Sequence, residues 1–284
     1  MDFSIRILGS GAAIPISSRR CSAQVVNIRG SKMLIDCAEG TQDGIRRNHI
    51  RLQSIGTILI SHLHGDHFFG MPGLLSTMHL CGRSEPLTVV APKGARQALE
   101  TYFELTGNHH NYPIEWVEME IAEGSTTVYE CSHYTVEAFP LVHSVPTFGF
   151  RITERTQTAL RPRTYVYCCD TAYDTSLLPF MAGADLLCLE STYLNEYAPL
   201  AGRNMHLTVG QATSLARMAG ASWLLLTHIS ARFRDPQAIL DQARLEFENS
   251  IVAADNMQLF ISRKEGVSPL QNTERQPVEA TQQK

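Results

Sequence analysis

The stretch Gly56-Thr57-Ile58-Leu59-Ile60-Ser61-His62-Leu63-His64-Gly65-Asp66-His67 sets the frame for the whole chain. Its first half, Gly56 to Ser61, is a short apolar run of buried-strand type. That run leads straight into three imidazoles and a carboxylate within six positions. Neutral imidazole and carboxylate are the usual ligands of zinc and similar ions. In an extended segment His62 and His64 point the same way, because side chains alternate with a period of two. A turn at Gly65 then carries Asp66 and His67 round to a second, adjacent position, so one short loop can serve two metals.

Two metals need more ligands than this loop supplies. The candidates share one feature: each ends an apolar strand or sits just beyond it. His143 follows Val136 to Leu141, Asp170 follows Tyr165 to Cys169, and His228 follows Trp223 to Thr227. Ligands at strand ends converge on one edge of a sheet, where rigid elements place them well. His49, His79, His109, His110 and His133 are read as ordinary structural or surface histidines.

Short strands dominate the first third, at Phe3–Leu8, Gln24–Ile28 and Lys32–Asp36, with a hairpin turn around Arg29-Gly30-Ser31. Helical spacing follows at Met71–Leu80 and Lys93–Leu105, with a strand at Pro86–Val90 between them. Further strands are expected at 114–121, 134–139, 148–152, 165–169, 185–189 and 223–227, and helices at 175–181, 208–219 and 236–247. Strands and helices mixed in this way predict an α/β layered domain. No internal repeat is visible. Lys264 to Lys284 is polar and rich in Gln, Glu, Thr and Pro, and reads as a disordered tail.

The chain has 284 residues, 44% of them hydrophobic and 18% charged, which excludes a mostly disordered protein. A net charge of -4 means that any nucleic-acid binding must come from a local basic patch. Arg19, Arg20, Arg46, Arg47 and Arg51 are candidates for one. Seven scattered cysteines with no CxxC pair argue against a zinc ribbon and for free thiols in a reducing compartment. There is no secretory signal pattern and no membrane-spanning apolar run, so a cytoplasmic setting is expected.

These strings together resemble the metallo-β-lactamase superfamily and, within it, the short-form ribonuclease Z (tRNase Z) family. The resemblance covers roughly residues 3 to 262. It rests on Leu8-Gly9-Ser10-Gly11 with Pro15, Asp36-Cys37-Ala38-Glu39-Gly40-Thr41-Gln42, Ile60 to Pro72 with Gly73-Leu74-Leu75, Pro92-Lys93-Gly94, Phe148-Gly149-Phe150-Arg151, and Leu226-Thr227-His228-Ile229-Ser230 with Arg232. The histidine run alone identifies only the superfamily; the other strings point to ribonuclease Z.

The resemblance implies a four-layer αβ/βα sandwich over residues 1–263. It implies two zinc ions per subunit, with manganese or another divalent metal as the alternative. His62, His64 and His143 would hold one ion, Asp66, His67 and His228 the other, and Asp170 would bridge. The implied activity is removal of the 3′ trailer of precursor tRNA by attack of a metal-bridging hydroxide, with Asp66 as proton acceptor. Glu190 would orient His206, which would stabilise the phosphate or protonate the leaving oxygen. Lys93 resembles a family loop near the tRNA acceptor end. The resemblance also implies a homodimer. The chain departs from the family in one place: a long RNA-gripping arm is replaced by about Thr153 to Arg163, which retains three arginines (Arg155, Arg161, Arg163). That gap keeps open a dinuclear phosphodiesterase acting on small esters or another RNA. Cys168-Cys169 also stands where the family has a small residue or glycine before the aspartate, and Cys169 is read as a buried thiol.

Overall fold

A computed structural model describes residues 2–156 and 159–269. Six strands open the chain: β1 (Phe3–Gly9), β2 (Ala23–Ile28), β3 (Ser31–Ile35), β4 (Ile55–Leu59), β5 (Leu87–Pro92) and β6 (Ile114–Met119). Seven more follow: β7 (Thr126–Glu130), β8 (Tyr134–Pro140), β9 (Phe148–Glu154), β10 (Thr164–Cys168), β11 (Leu186–Glu190), β12 (Leu224–Thr227) and β13 (Ser250–Val252). The chain then returns to the first sheet with β14 (Gln258–Ser262) and β15 (Gly266–Pro269). The first sheet has the order β15-β14-β1-β2-β3-β4-β5-β6 and the second β13-β12-β11-β10-β9-β8-β7.

The helices are α1 (Thr41–Arg47), α2 (Gly65–Phe68), α3 (Met71–Leu80), α4 (Ala95–Thr106), α5 (Leu178–Met181), α6 (Ala198–Asn204), α7 (Val209–Met218) and α8 (Gln237–Glu246). Three apolar clusters define the layering. One joins the two sheets, with Ile5, Val26 and Met33 facing Val136, Phe150 and Tyr165. A second seats Ile45, Leu74 and Leu99 of α1, α3 and α4 on the outer face of the first sheet. A third seats Met181, Leu215 and Ile239 of α5, α7 and α8 on the outer face of the second. The result is the four-layer αβ/βα sandwich.

Strand β10 shows how the residues dictate this. Tyr165, Tyr167 and then Cys169 face the other sheet, while Val166 and Cys168 face the helices. A central strand buried on both faces reads as a continuous apolar run for that reason. Leu187, on the neighbouring central strand β11, is fully buried against the helices, and truncating it to alanine would cost about 2–5 kcal/mol. The Arg29-Gly30 turn between β2 and β3 takes left-handed φ values of 52° and 92°, the pattern of a tight hairpin.

Parallel pairing decides where the site lies. β3, β4, β5 and β6 run parallel, as do β10, β11, β12 and β13. Their carboxyl ends therefore reach one edge of the sandwich. β8 is antiparallel to β9, which is antiparallel to β10, so β8 ends at that edge too.

The structure moves one boundary. The polar composition after Lys264 is not all tail: β15 pairs antiparallel with β14, and Val267 is buried. The residues Arg263-Lys264-Glu265 form the turn of this hairpin, and their polarity reads as the start of a tail. The rest of the expected tail, from 270 onward, lies outside the described residues. Helix α1, which begins at the end of the Asp36–Gln42 stretch, helix α6 and strand β7 also go beyond the elements expected from sequence periodicity.

Candidate metal centre

The loop after β4 is extended through His64, which precedes the single turn of α2 with β-region dihedrals. His62 and His64 therefore reach the same place, their Nε2 and Nδ1 atoms 3.1 Å apart. The turn of α2 carries Asp66 and His67 to the neighbouring position. Gly70 lets this segment lie directly on the backbone after β3: a Cβ there would sit 2.1 Å from the Ala38 carbonyl oxygen.

The strand ends on the second sheet complete the cluster. His62 Nε2 and His143 Nε2 lie 3.5 and 3.7 Å from Asp170 Oδ2. His67 Nε2 and His228 Nε2 lie 3.3 and 3.2 Å from Asp170 Oδ1. Asp66 Oδ2 stands 3.6 Å from His67 Nε2 and 3.3 Å from His228 Nε2. One aspartate thus presents one oxygen to each of two donor sets. Asp170 and His228 adopt left-handed φ values of 48° and 55° immediately after their strands. Such conformations are uncommon for non-glycine residues and persist where surrounding structure holds them.

The hydrogen-bond network fixes which imidazole nitrogens are free. His67 Nδ1 donates to Asp36 Oδ2 at 2.7 Å. The Ser61 hydroxyl donates to Asp36 Oδ2 and so accepts from His62 Nδ1, 3.0 Å away. The Thr192 hydroxyl donates to Glu190 Oε2 and accepts from His228 Nδ1, 2.9 Å away. His143 Nδ1 donates to the Met205 carbonyl at 3.2 Å. A neutral imidazole carries one proton, so four Nε2 lone pairs point into one small volume. In the neutral form that a metal ligand takes, the facing pair His67 Nε2 and His228 Nε2, 3.4 Å apart, has no proton to share. Asp170 Oδ1 is buried without a hydrogen-bond partner. Converging lone pairs beside an orphaned carboxylate oxygen fit a divalent cation, and backing of each imidazole by a second group is the arrangement that orients metal ligands.

The charges agree. Burial, then the neighbouring imidazoles, push His62 down to about 2, against the pull of Asp170. Burial also opposes a charged His67, but Asp170 and Asp36 outweigh it and raise that group. The same two carboxylates that would hold a cation here thus draw a proton to His67, and a metal at Nε2 would take that proton's place. Burial opposes the Asp170 anion, and His228 and His67 outweigh it to hold the carboxyl well below its usual range.

Beside this cluster Glu190 is fully buried and fully satisfied. Its Oε1 accepts from Thr171 N at 2.7 Å and His206 Nδ1 at 2.8 Å. Its Oε2 accepts from the Thr192 hydroxyl and from Leu207 N at 3.1 Å. Burial opposes the His206 imidazolium, but Glu190 outweighs it and raises His206 to about 9. The His206 ring lies 5.2 Å from that of His143 and 5.3 Å from that of His228. All of this opens on a cleft of about 880 Å³.

The chain matches the family model of the beta-lactamase superfamily domain over residues 31–229. It is 33% identical to a ribonuclease Z of Methanosarcina mazei, with 90% of this chain and 97% of that protein covered. It is 31% identical to a ribonuclease Z of Porphyromonas gingivalis, with 90% and 98% covered. Among solved structures it superposes on human short-form tRNase Z with a TM-score of 0.77 and 29% identity, covering 91% and 99% of the two chains. The chain belongs to the ribonuclease Z family.

This member of the family is short. The alignment with the Methanosarcina protein extends over 301 residues, more than the 284 of this chain, so that relative carries segments absent here. The three arginines of the β9–β10 connection do not form a cationic patch. Arg155 pairs with Glu130, Arg161 with Asp185, and Arg163 with Glu154 and Asp2. Nor do the N-terminal arginines meet the cleft. Arg19 is buried and donates to the Phe233 carbonyl, Arg20 pairs with Asp255, and Arg47 pairs with Asp43. A run of arginines in sequence says nothing about the acceptors that folding places beside them. The positive charge at the cleft comes from Arg203 and Arg232. Neither makes an ion pair among the described residues. Lys93 lies outside the cleft, in a smaller depression of about 380 Å³ with Pro146 and Phe148, and pairs with Glu120 at 2.9 Å.

The structure thus gathers His62, His64, Asp66, His67, His143, Asp170, Glu190, His206 and His228 into one cluster, while Lys93, just after β5 on the same edge, stays outside the cleft. The sequence reading did not assign roles to Asp36, Ser61, Tyr167 or Thr192. Asp36 is fully buried at a φ of 56° and accepts from Ser61, His67 and Tyr167. A carboxylate ending an apolar strand is the signal that marked Asp170, and it applied equally to Asp36.

Proposed function

We propose that this chain is a zinc-dependent endoribonuclease that removes the 3′ trailer of precursor tRNA. The observation that carries the reading is the two-faced Asp170, with one oxygen toward His62 and His143 and the other toward His67 and His228. On this reading His62, His64, His143 and Asp170 hold one zinc, and Asp66, His67, His228 and Asp170 hold the other. Two such ions, when bound, supply a Lewis acid for the phosphoryl oxygens and an acidified water for in-line attack. Asp66 lines the cleft and accepts the proton of the attacking water. Its lone pairs are held by Ala13 N, 2.7 Å from Oδ2. His206, kept protonated by Glu190, delivers a proton from Nε2 to the departing O3′, which leaves a 3′-hydroxyl on the tRNA. Arg203 and Arg232 offer cations to the backbone phosphates on either side of the cut.

Family membership supports RNA as the substrate and a homodimer as the assembly. Seven unpaired thiols, most of them buried, support a reducing compartment such as the cytoplasm. Among the described residues no helix is long and apolar enough to cross a membrane. The neutralised β9–β10 connection favours one second reading, a phosphodiesterase for small esters or another RNA at the same centre.

The experiment is cleavage of a 3′-extended precursor tRNA by zinc-loaded protein, beside bis(p-nitrophenyl) phosphate, with product ends mapped. A cut after the discriminator base is expected. Turnover of the small ester with intact precursor would transfer the function to the second reading. Subunit mass by sedimentation checks the dimer.

A further inference from the structure

Resting on the two-metal reading above, we infer that Cys169 is a further donor to the position formed by His67, Asp170 and His228, and that its sulfur makes this the softer of the two metal positions. The donor atoms of His67, Cys169, Asp170 and His228 all lie within 4.8 Å of one another, and all four residues are buried. The other set, His62, His64, His143 and Asp170, contains nitrogen and oxygen only. Among the described residues Cys169 is the one cysteine that joins such a group.

Strand geometry puts the sulfur there. Cys169 continues the row of Tyr165 and Tyr167 on the face of the second sheet that looks across to the first. That row ends directly beneath the metal edge, so Cys169 forms its floor. The second observation is Asp170 Oδ1, the oxygen turned toward His67 and His228, which is buried and without a hydrogen-bond partner. A buried acceptor without a hydrogen-bond partner, beside a thiol and two imidazole nitrogens, is a donor set that fits a cation.

On coordination the Cys169 S–H bond breaks, the sulfur donates its electron pair to the ion, and the proton passes to solvent. Thiolate favours zinc, cadmium and cobalt over manganese, whereas an all-nitrogen-and-oxygen set discriminates less. The two positions should therefore differ in metal preference, with manganese tolerated at the His62 set and disfavoured at the Cys169 set.

The test uses full-length protein stripped of metal and reloaded with cobalt(II). The wild type should show a near-ultraviolet thiolate-to-cobalt charge-transfer band. Cys169→Ala and Cys169→Ser should lose the band while still binding two cobalt ions by elemental analysis. In zinc–manganese competition, Cys169→Ala should shift the preference toward manganese by about 10-fold or more, the scale on which changes around a metal alter affinity. Two bound cobalt ions without the band in wild type, or a band that survives Cys169→Ala, would overturn the sulfur assignment and leave the two-metal reading intact. Failure to bind cobalt at all would overturn both. Should neither variant fold, cadmium-113 resonances of the wild type decide. One resonance far downfield is expected, and two in the nitrogen–oxygen range would sink the inference.

Discussion

Among the described residues two buried polar clusters invite comparison, and their difference separates structure from function. At the base of the β9–β10 connection, Glu154 is fully buried and meets Arg163, Arg29 and Arg263. Arg163 also reaches Asp2 and the Ile261 carbonyl. Every charge there has an opposite charge or a hydrogen-bond partner, and the cluster is complete as it stands. At the other edge, imidazole lone pairs face one another and Asp170 Oδ1 has no partner. That cluster is complete only with cations in it. A paired buried charge argues for structure, whereas an arrangement of unspent donors argues for a ligand.

The largest expected effect tests the incomplete cluster. Asp170→Ala removes the residue that both donor sets share. Bound metal should fall from two equivalents to one or fewer by elemental analysis, and hydrolysis should fall to background. Chelation of the wild type should do the same, with recovery on adding zinc back. Near-wild-type metal content and turnover in Asp170→Ala would break the assignment. His206→Ala comes next, because His206 borders the centre but bonds through Glu190. Two metals should be retained and turnover should fall by about 10²-fold or more, the scale of losing one general acid. Loss of metal instead would move His206 into the ligand set.

The complete cluster should respond in stability and not in chemistry. Glu154→Gln leaves Arg163 buried with only Asp2 as a full counter-charge, so a loss of about 3 kcal/mol is expected, toward the lower end for a broken buried pair. Activity per folded molecule should be unchanged in the same preparation. Burial opposes the Glu154 anion, but Arg163 and then Arg263 outweigh it and hold the carboxyl at about 2, down from 4.5. A depressed carboxyl stabilises the fold fully above its unfolded value. Wild type should therefore lose stability relative to Glu154→Gln as pH falls from about 4.5 toward 2. Urea midpoints of the two proteins that track in parallel over that window would contradict it.

Much of this contrast was legible in the residues, and the limits are physical. The run from Gly56 to His67 showed strand, turn and four donors, because period-two alternation and donor chemistry are local. The strand-end rule found His143, Asp170 and His228 because parallel strands bring their carboxyl ends together. Asp36 carries the same strand-end signal, but its role as the acceptor behind His67 depends on Ser61, His67 and Tyr167 from two other strand ends, a meeting that only the fold arranges. The arginines of the β9–β10 connection show the same limit: Arg163 carries its charge in the sequence, and the Glu154 that pairs with it is visible only in the fold. Asp36→Asn sharpens the point with a smaller effect. It keeps the shape but weakens the acceptor behind His67, so metal affinity should drop by about 10–100-fold in competition titrations. Unchanged affinity would mean that Asp36 serves packing alone.

Lys93 carries the smallest expected effect and sets the outer limit of the site. Its ammonium is exposed and held 2.9 Å from Glu120, outside the cleft. Turnover of a small phosphodiester should not change in Lys93→Ala, since nothing in the cluster touches it. A long RNA is different. If its flank crosses the depression beside Pro146 and Phe148, Lys93 exchanges Glu120 for a phosphate and one counterion is released. The slope of log affinity against log salt would then be shallower by about 1 in the variant, with a uniform weakening across RNA sequences. Identical salt slopes for Lys93→Ala and wild type would confine the RNA contacts to the cleft, leaving Arg203 and Arg232 as the cations that position the strand.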